Sequence, residues 1–203
     1  MGDLRFLTAG DVLQTNLYIQ FKVNLHDADD VSQIFTIGSD ISAQSSTPYV
    51  YQDTGDVKLA GAFSQALSSV FTLDEWHTFE MCLCVVPPML VIGSAKFDGA
   101  ALTPSGQIYA VMIANFQISN CWFGAANATD VTVNHHIKDI KIGTAGFGSD
   151  NLFSFDLNAA LLSDSLTPQF DSVTGDGMSI TSEGILFEND GSDVYATKAL
   201  VFP

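Results

Sequence analysis

The chain has little positive charge. Lys and Arg together number 7 against 23 Asp and Glu, a formal net charge of −16, and Arg5 is the only arginine. Phosphate contacts with nucleic acid need clustered basic side chains, and so does docking on anionic lipid, so the balance argues against both partners. Long apolar runs are also missing. The most apolar stretch, residues 82–92, is broken by Pro87 and Pro88 and falls short of the roughly 20 residues of a membrane helix. Cysteine is sparse: Cys82, Cys84 and Cys121 cannot all pair. Cys82 and Cys84 stand two apart on one strand-like segment, so they share a face; buried thiols acting as small hydrophobes are expected rather than a disulfide framework. No Cys/His spacing matches a zinc site. The first residues show no basic region followed by an apolar core and a small-residue cleavage site, so no secretory signal is expected.

Apolar residues make up 47% of the sequence, with fifteen Phe, while only 15% of residues are charged. That composition belongs to a folded chain. At 203 residues it suits one domain of ordinary size. The apolar pattern has period two almost throughout. Leu17, Ile19, Phe21, Val23 and Leu25 alternate with Tyr18, Gln20, Lys22 and Asn24, the signature of a half-buried strand. Val57, Leu59 and Phe63 repeat it, as do Phe79, Met81, Leu83 and Val85, and residues 89–97 run into Asp98-Gly99, a two-residue hairpin signal. Further strands are expected at 107–118, 121–124, 137–142, 152–156, 178–181, 184–188 and 193–200, with helical turns only at 64–69 and 157–162. Many short strands punctuated by Gly, Asn, Asp and Ser predict an all-β, two-sheet antiparallel sandwich. Its core should hold Ile19, Phe21, Val23, Phe79, Met81, Leu83, Ile140 and Ile142.

Charge is unevenly spread. Residues 1–149 carry 14 acids and 6 bases, net −8, whereas residues 150–203 carry 9 acids and Lys198 as the one base, also net −8. The segment 143–150 between them is linker-like, a connection too short to be a tether.

Five segments in order, 18–25 (YIQFKVNL), 75–81 (EWHTFEM), 96–99 (KFDG), 122–124 (WFG) and 137–143 (IKDIKIG), together resemble the concanavalin A-like, laminin-G-like jelly roll, over about two thirds of the chain. The resemblance implies that 137–143 is the closing strand and that 152–156, 175–180 and 184–187, which look like the family's opening strands, come last here. Residues 1–149 would then form the main part of the sandwich. Residues 150–203 would complete the same sandwich as a circular permutation, exchange with a neighbouring protomer, or open a second domain.

Glycoside hydrolases on this fold use two glutamates with an aspartate between them. Glu75 and Glu80 have the right separation, but His77 stands in the aspartate's place, so they read as solvated charges and no enzyme is expected. His135 and His136 are neighbours on a strand, with rings on opposite faces, which does not suit a shared metal. Two acidic loops would offer oxygen ligands to calcium: Asp27, Asp29 and Asp30 beside His26, and Asp190 and Asp193. Neither has a spaced calcium motif, and no other cofactor is expected. Tyr49 and Tyr51 lie in a polar stretch after Pro48, read as a loop, and Trp122 follows Asn120-Cys121 at a strand edge. Trp122 is expected first as a core residue; otherwise such rings are platforms for sugars and anchors for proteins. Two functions follow as expectations. One is a non-enzymatic module on a phage virion surface, a capsid decoration or tail component made in the host cytoplasm, with protein partners in a homo-oligomer or virion. The other is a carbohydrate-binding module of an adhesin, holding a surface glycan on Tyr49, Tyr51 and Trp122.

Overall fold

The computed structural model describes residues 2–8, 15–26, 32–38, 49–53, 56–60, 68–87, 89–101, 110–112, 120–124, 134–163, 165–166, 169–174, 178–188 and 194–200. Its strands are, in chain order, β1 (Gly2–Thr8), β2 (Leu17–Leu25), β3 (Ser32–Gly38), β4 (Tyr49–Asp53), β5 (Asp56–Ala60), β6 (Ser68–Val70), β7 (Trp76–Val86), β8 (Met89–Phe97), β9 (Ala100–Ala101), β10 (Ala110–Met112), β11 (Asn120–Gly124) and β12 (Asn134–Gly143). After these come β13 (Phe153–Ser154), the helix α1 (Leu157–Ser163), β14 (Ser172–Thr174), β15 (Met178–Thr181), β16 (Gly184–Glu188) and β17 (Val194–Leu200).

The strands form two sheets. One has the order β14, β17, β1, β11, β3, β4, β5, β6; the other runs β10, β8, β7, β2, β12, β16, β15, with β13 joined to β12 and β9 to β8. The fold is therefore all-β and a sandwich, with antiparallel pairing apart from β1 and β17, which run parallel in register from Gly2↔Val194 to Thr8↔Leu200. One apolar cluster joins the sheets: Ile34, Ala196 and Leu200 from the first pack with Ile19, Phe21, Val23, Met81, Leu83, Ile140 and Ile142 from the second. All eight core positions expected from the sequence are 0–1% exposed. Period two produces this result, because each strand turns only alternate residues inward.

Local signals act as read at several points. Asp98 and Gly99 both take positive φ, 49° and 78°, and close a two-residue turn between Phe97 and Ala100. Leu157–Ser163 is helical, with the Asp156 carboxylate accepting from Ala159 N at 3.1 Å, an N-terminal cap. Two expectations fail. Ser68–Val70 is a strand on β5 where a helical turn was expected; residues 64–67 lie outside the described residues. Tyr49 and Tyr51 belong to strand β4, not to a loop, because Tyr49 pairs with Thr36 on one side and Ala60 on the other, and ladder bonds on both sides override the turn signal of the preceding Pro48.

The last quarter of the chain pairs within the same two sheets. β16 lies beside β12, with His135↔Phe187 and Ile137↔Ile185, and β17 lies beside β1. The connector after β12 is tightly knit. Asn151 accepts from Thr144 N and donates to Thr144 Oγ1, both at 2.9 Å, and Phe147 meets Tyr18 edge to face at 5.2 Å. At the strand edge the Asp171 carboxylate accepts from Ala199 N at 2.7 Å and Lys198 Nζ at 2.9 Å; the Ala199 amide first, then Lys198, holds it below the usual carboxylate range.

Candidate functional site

The three aromatic candidates all fall on the eight-stranded sheet, and its register sets them in order. Thr197 pairs with Arg5, Arg5 with Trp122, Trp122 with Thr36, Thr36 with Tyr49 and Tyr49 with Ala60. Directly paired residues occupy the same face of a sheet, so these six positions make one row across six strands. Tyr51, two residues from Tyr49, shares that face, opposite Gln33 on β3 and Lys58 on β5. The alternate row reads Ala196, Leu4, Phe123, Phe35, Val50 and Leu59. Ala196 at its end is fully buried whereas Thr197 is half-buried, so the apolar row is the core side and the row holding Trp122 and Tyr49 is the outer side. A register slip between Gln33 and Phe35 makes this possible. The extra residue, Ile34, is 1% exposed, and the bulge restores polar Gln33 and Thr36 to the face of the two tyrosines.

Sequence reading missed a second cluster, at one end of the other sheet. His26, just beyond β2, meets Asp74 Oδ1 through Nδ1 at 2.7 Å and His136 Nδ1 through Nε2 at 2.6 Å. With both rings neutral, His26 donates to the carboxylate and accepts from His136. Trp76 stands edge to face with His136 at 6.5 Å, and Lys138 Nζ lies 3.6 Å from the Trp76 ring centroid. Asp74 itself has φ 60°, and its backbone N donates to Leu25 O at 3.0 Å. The chain of bonds ties the ends of β2 and β12 to the turn before β7. Its neighbour His135 points the other way, as the alternation requires. It is fully buried, stacked on Phe187 at 5.3 Å, and neither ring nitrogen has a hydrogen-bond partner. Burial pushes its pKa down from 6.5 to about 3, with His26 and His136 adding to the fall. No group of three or more metal-ligating side chains occurs among the described residues. Only the partnering of His136 with Asn24 and of His135 with Leu25 brings His26 within reach, and that register is not written in either segment alone.

The hydrolase-like positions lie at the start of β7. His77 is 5% exposed, faces Asp98 Oδ2 at 2.6 Å and Thr72 O at 2.8 Å, and stacks on Phe97 at 5.1 Å. It fastens the start of β7 to the turn after β8, whose Asp98 also accepts from Thr78 N at 2.7 Å. Glu75 is exposed and Glu80 pairs across strands with Gln20 and Lys96. The acidic calcium candidates Asp27, Asp29, Asp30, Asp190 and Asp193 lie outside the described residues.

No protein-family model matches the sequence, and no curated protein matches it. Among solved structures the chain is similar to a mutant of Trypanosoma rangeli sialidase displaying trans-sialidase activity (11% identity, TM-score 0.49), covering 64% of this chain and 21% of that one. It is also similar to the catalytic domain of a glycoside hydrolase family 131 protein from Coprinopsis cinerea (13% identity, TM-score 0.39), covering 69% and 60%. A third is the receptor binding domain of botulinum neurotoxin D (9% identity, TM-score 0.40), covering 75% and 37%. The chain thus spans between a fifth and three fifths of the length of these proteins. At such identities and scores the likeness bears on neither reaction nor ligand, and the fold stands on the chain's own strand order: an all-β sandwich.

Proposed function

We propose that the chain is a concanavalin A-like carbohydrate-binding module rather than an enzyme, and that the outer face of its eight-stranded sheet holds the sugar. The single observation behind this reading is the register that aligns Arg5, Trp122, Thr36 and Tyr49, with Tyr51, Gln33 and Lys58 alongside. A sugar offers apolar C–H patches bordered by hydroxyls. Aromatic rings take the first and amide, hydroxyl and cationic groups take the second. Strands hold such groups at fixed spacing, so little ordering entropy is lost on binding. Assembly on a virion surface is the competing proposal; no specific observation favours it.

The test is binding of the intact protein to a glycan array, followed by Tyr49→Ala and Trp122→Ala. Losing a stacked ring should weaken binding to a retained glycan about tenfold or more, on the order of 1.4 kcal/mol, with the far-ultraviolet spectrum unchanged. Silence across every glycan would remove the sugar reading and favour the virion alternative; full binding by both variants would remove the outer row as the site.

A further inference from the structure

The sugar reading makes no use of one reactive pair in the other sheet. Cys82 and Cys84 follow each other on β7 with their Sγ atoms 2.7 Å apart. Opposite them β8 carries one extra residue: Cys82 pairs with Ser94 and Leu83 with Ile92, which leaves Gly93 as the bulge. A Cβ at Gly93 would stand 2.3 Å from Cys84 Sγ and 3.8 Å from Cys82 Sγ. The thiols therefore occupy the space of the side chain that residue 93 lacks. Gly93 is exposed, Cys84 is half-buried and Cys82 is 5% exposed, so a small reagent meets Cys84 first.

The sulfur spacing discriminates between chemistries. A disulfide bond is about 2.05 Å long. Two thiolates on one tetrahedral metal, with metal–sulfur distances of about 2.3 Å, stand about 3.8 Å apart. From 2.7 Å the bond needs an approach of about 0.65 Å, whereas the metal needs a separation of about 1.1 Å.

We propose that Cys82 and Cys84 form a reversible dithiol–disulfide site, oxidised by a small disulfide of the glutathione class that enters at Gly93. The Cys84 thiolate attacks one sulfur of the oxidant; a mixed disulfide forms, the oxidant's S–S bond breaks and one thiolate leaves. Cys82 then gives its proton to water and attacks Cys84 Sγ, releasing the second thiolate. Both cysteines are oxidised by one electron each, and the oxidant is reduced to two thiols. The order follows from the surroundings. Burial first, then the hydrogen bond and charge of Cys84, pushes the Cys82 thiol up to about 12. Capping Cys84 removes the last two contributions and leaves the burial, so Cys82 gives up its proton more readily after the first step than before it.

The experiment treats the intact protein, and its Cys121→Ser variant, with oxidised glutathione under native conditions and maps the products by mass. The expected product has lost two hydrogens, with the bond between Cys82 and Cys84 and full reversal by dithiothreitol. Cys82→Ser should stop at a glutathione adduct on Cys84. Gly93→Ala, whose new methyl group displaces Cys84 Sγ, should slow bond formation about tenfold or more. A persistent glutathione adduct on the unmodified pair, a bond between chains, inert thiols, or an unchanged rate in Gly93→Ala would each overturn the proposal. None of these outcomes depends on whether a glycan binds.

Discussion

Acid should weaken this protein through His135. The imidazole is fully buried beside Leu25 and Phe187, its partners on β2 and β16, and titrates at about 3 instead of 6.5. The folded-state value is lowered, so between the two values the unfolded chain binds the extra proton. The stabilising contribution is complete above 6.5 and is lost as pH falls toward 3. Each pH unit within that window costs about 1.4 kcal/mol. Going from neutrality to about pH 4.5 crosses two of those units and removes roughly 3 kcal/mol, a large share of the 5–15 kcal/mol that typically holds a domain together. A second effect has the opposite sign, because protonating carboxylates relieves the repulsion within a chain of net charge −16. His135→Phe separates the two. The ring keeps its stack on Phe187, the two nitrogens without partners are gone, and the variant should gain about 1–3 kcal/mol at neutral pH while losing the acid-sensitive component. Urea titrations followed by tryptophan fluorescence at the two pH values give the four stabilities. If wild type and variant lose the same stability on acidification, the reasoning about His135 is refuted.

Four further outcomes are expected. Phe21→Ala should cost about 3–5 kcal/mol in a urea titration, since Phe21 is fully buried against Phe79 with ring centroids 5.0 Å apart. Lys22→Ala should cost less than about 1 kcal/mol, because its 2.8 Å ion pair with Asp139 is exposed at both ends. Gly184→Ala should lower the melting temperature, at a cost of roughly 1–3 kcal/mol. The residue has φ 149°, and a Cβ there would lie 2.6 Å from Ile137 O, a backbone atom that cannot step aside. Ending the chain after Ser149 should give insoluble protein, because it strips β16 from β12 and β17 from β1; a soluble, cooperatively melting 1–149 fragment would contradict that pairing.

What the sequence made legible follows from locality. Alternation along Leu17–Leu25 and Trp76–Val86 needs no knowledge of neighbours, so these strands and their inward residues could be read directly, as could the Asp98-Gly99 turn. Tyr49 and Tyr51 stand out as candidates in the sequence, but Pro48 and the polar residues around them read as a loop. Nothing in residues 45–53 reveals that β3 and β5 flank them. The row from Thr197 to Ala60 depends on five pairings, three of them between distant segments and another shifted by the bulge at Ile34. The bonds among Asp74, His26 and His136 were hidden for the same reason. Cys82 and Cys84 were legible as neighbours on one face, but not their contact, which depends on Gly93 across the hairpin.

The central claim is that the sugar sits on the outer row of the eight-stranded sheet. Backbone amide chemical shifts, recorded while the best glycan from the array is titrated into the intact protein, test it most directly. The account predicts saturable changes in β1, β3, β4 and β11, centred on Arg5, Thr36, Tyr49, Tyr51 and Trp122, with β7 and β8 unmoved. Changes centred on β7, β8 or the His26–His136 end of the nine-stranded sheet, or no saturable change at all, would contradict it.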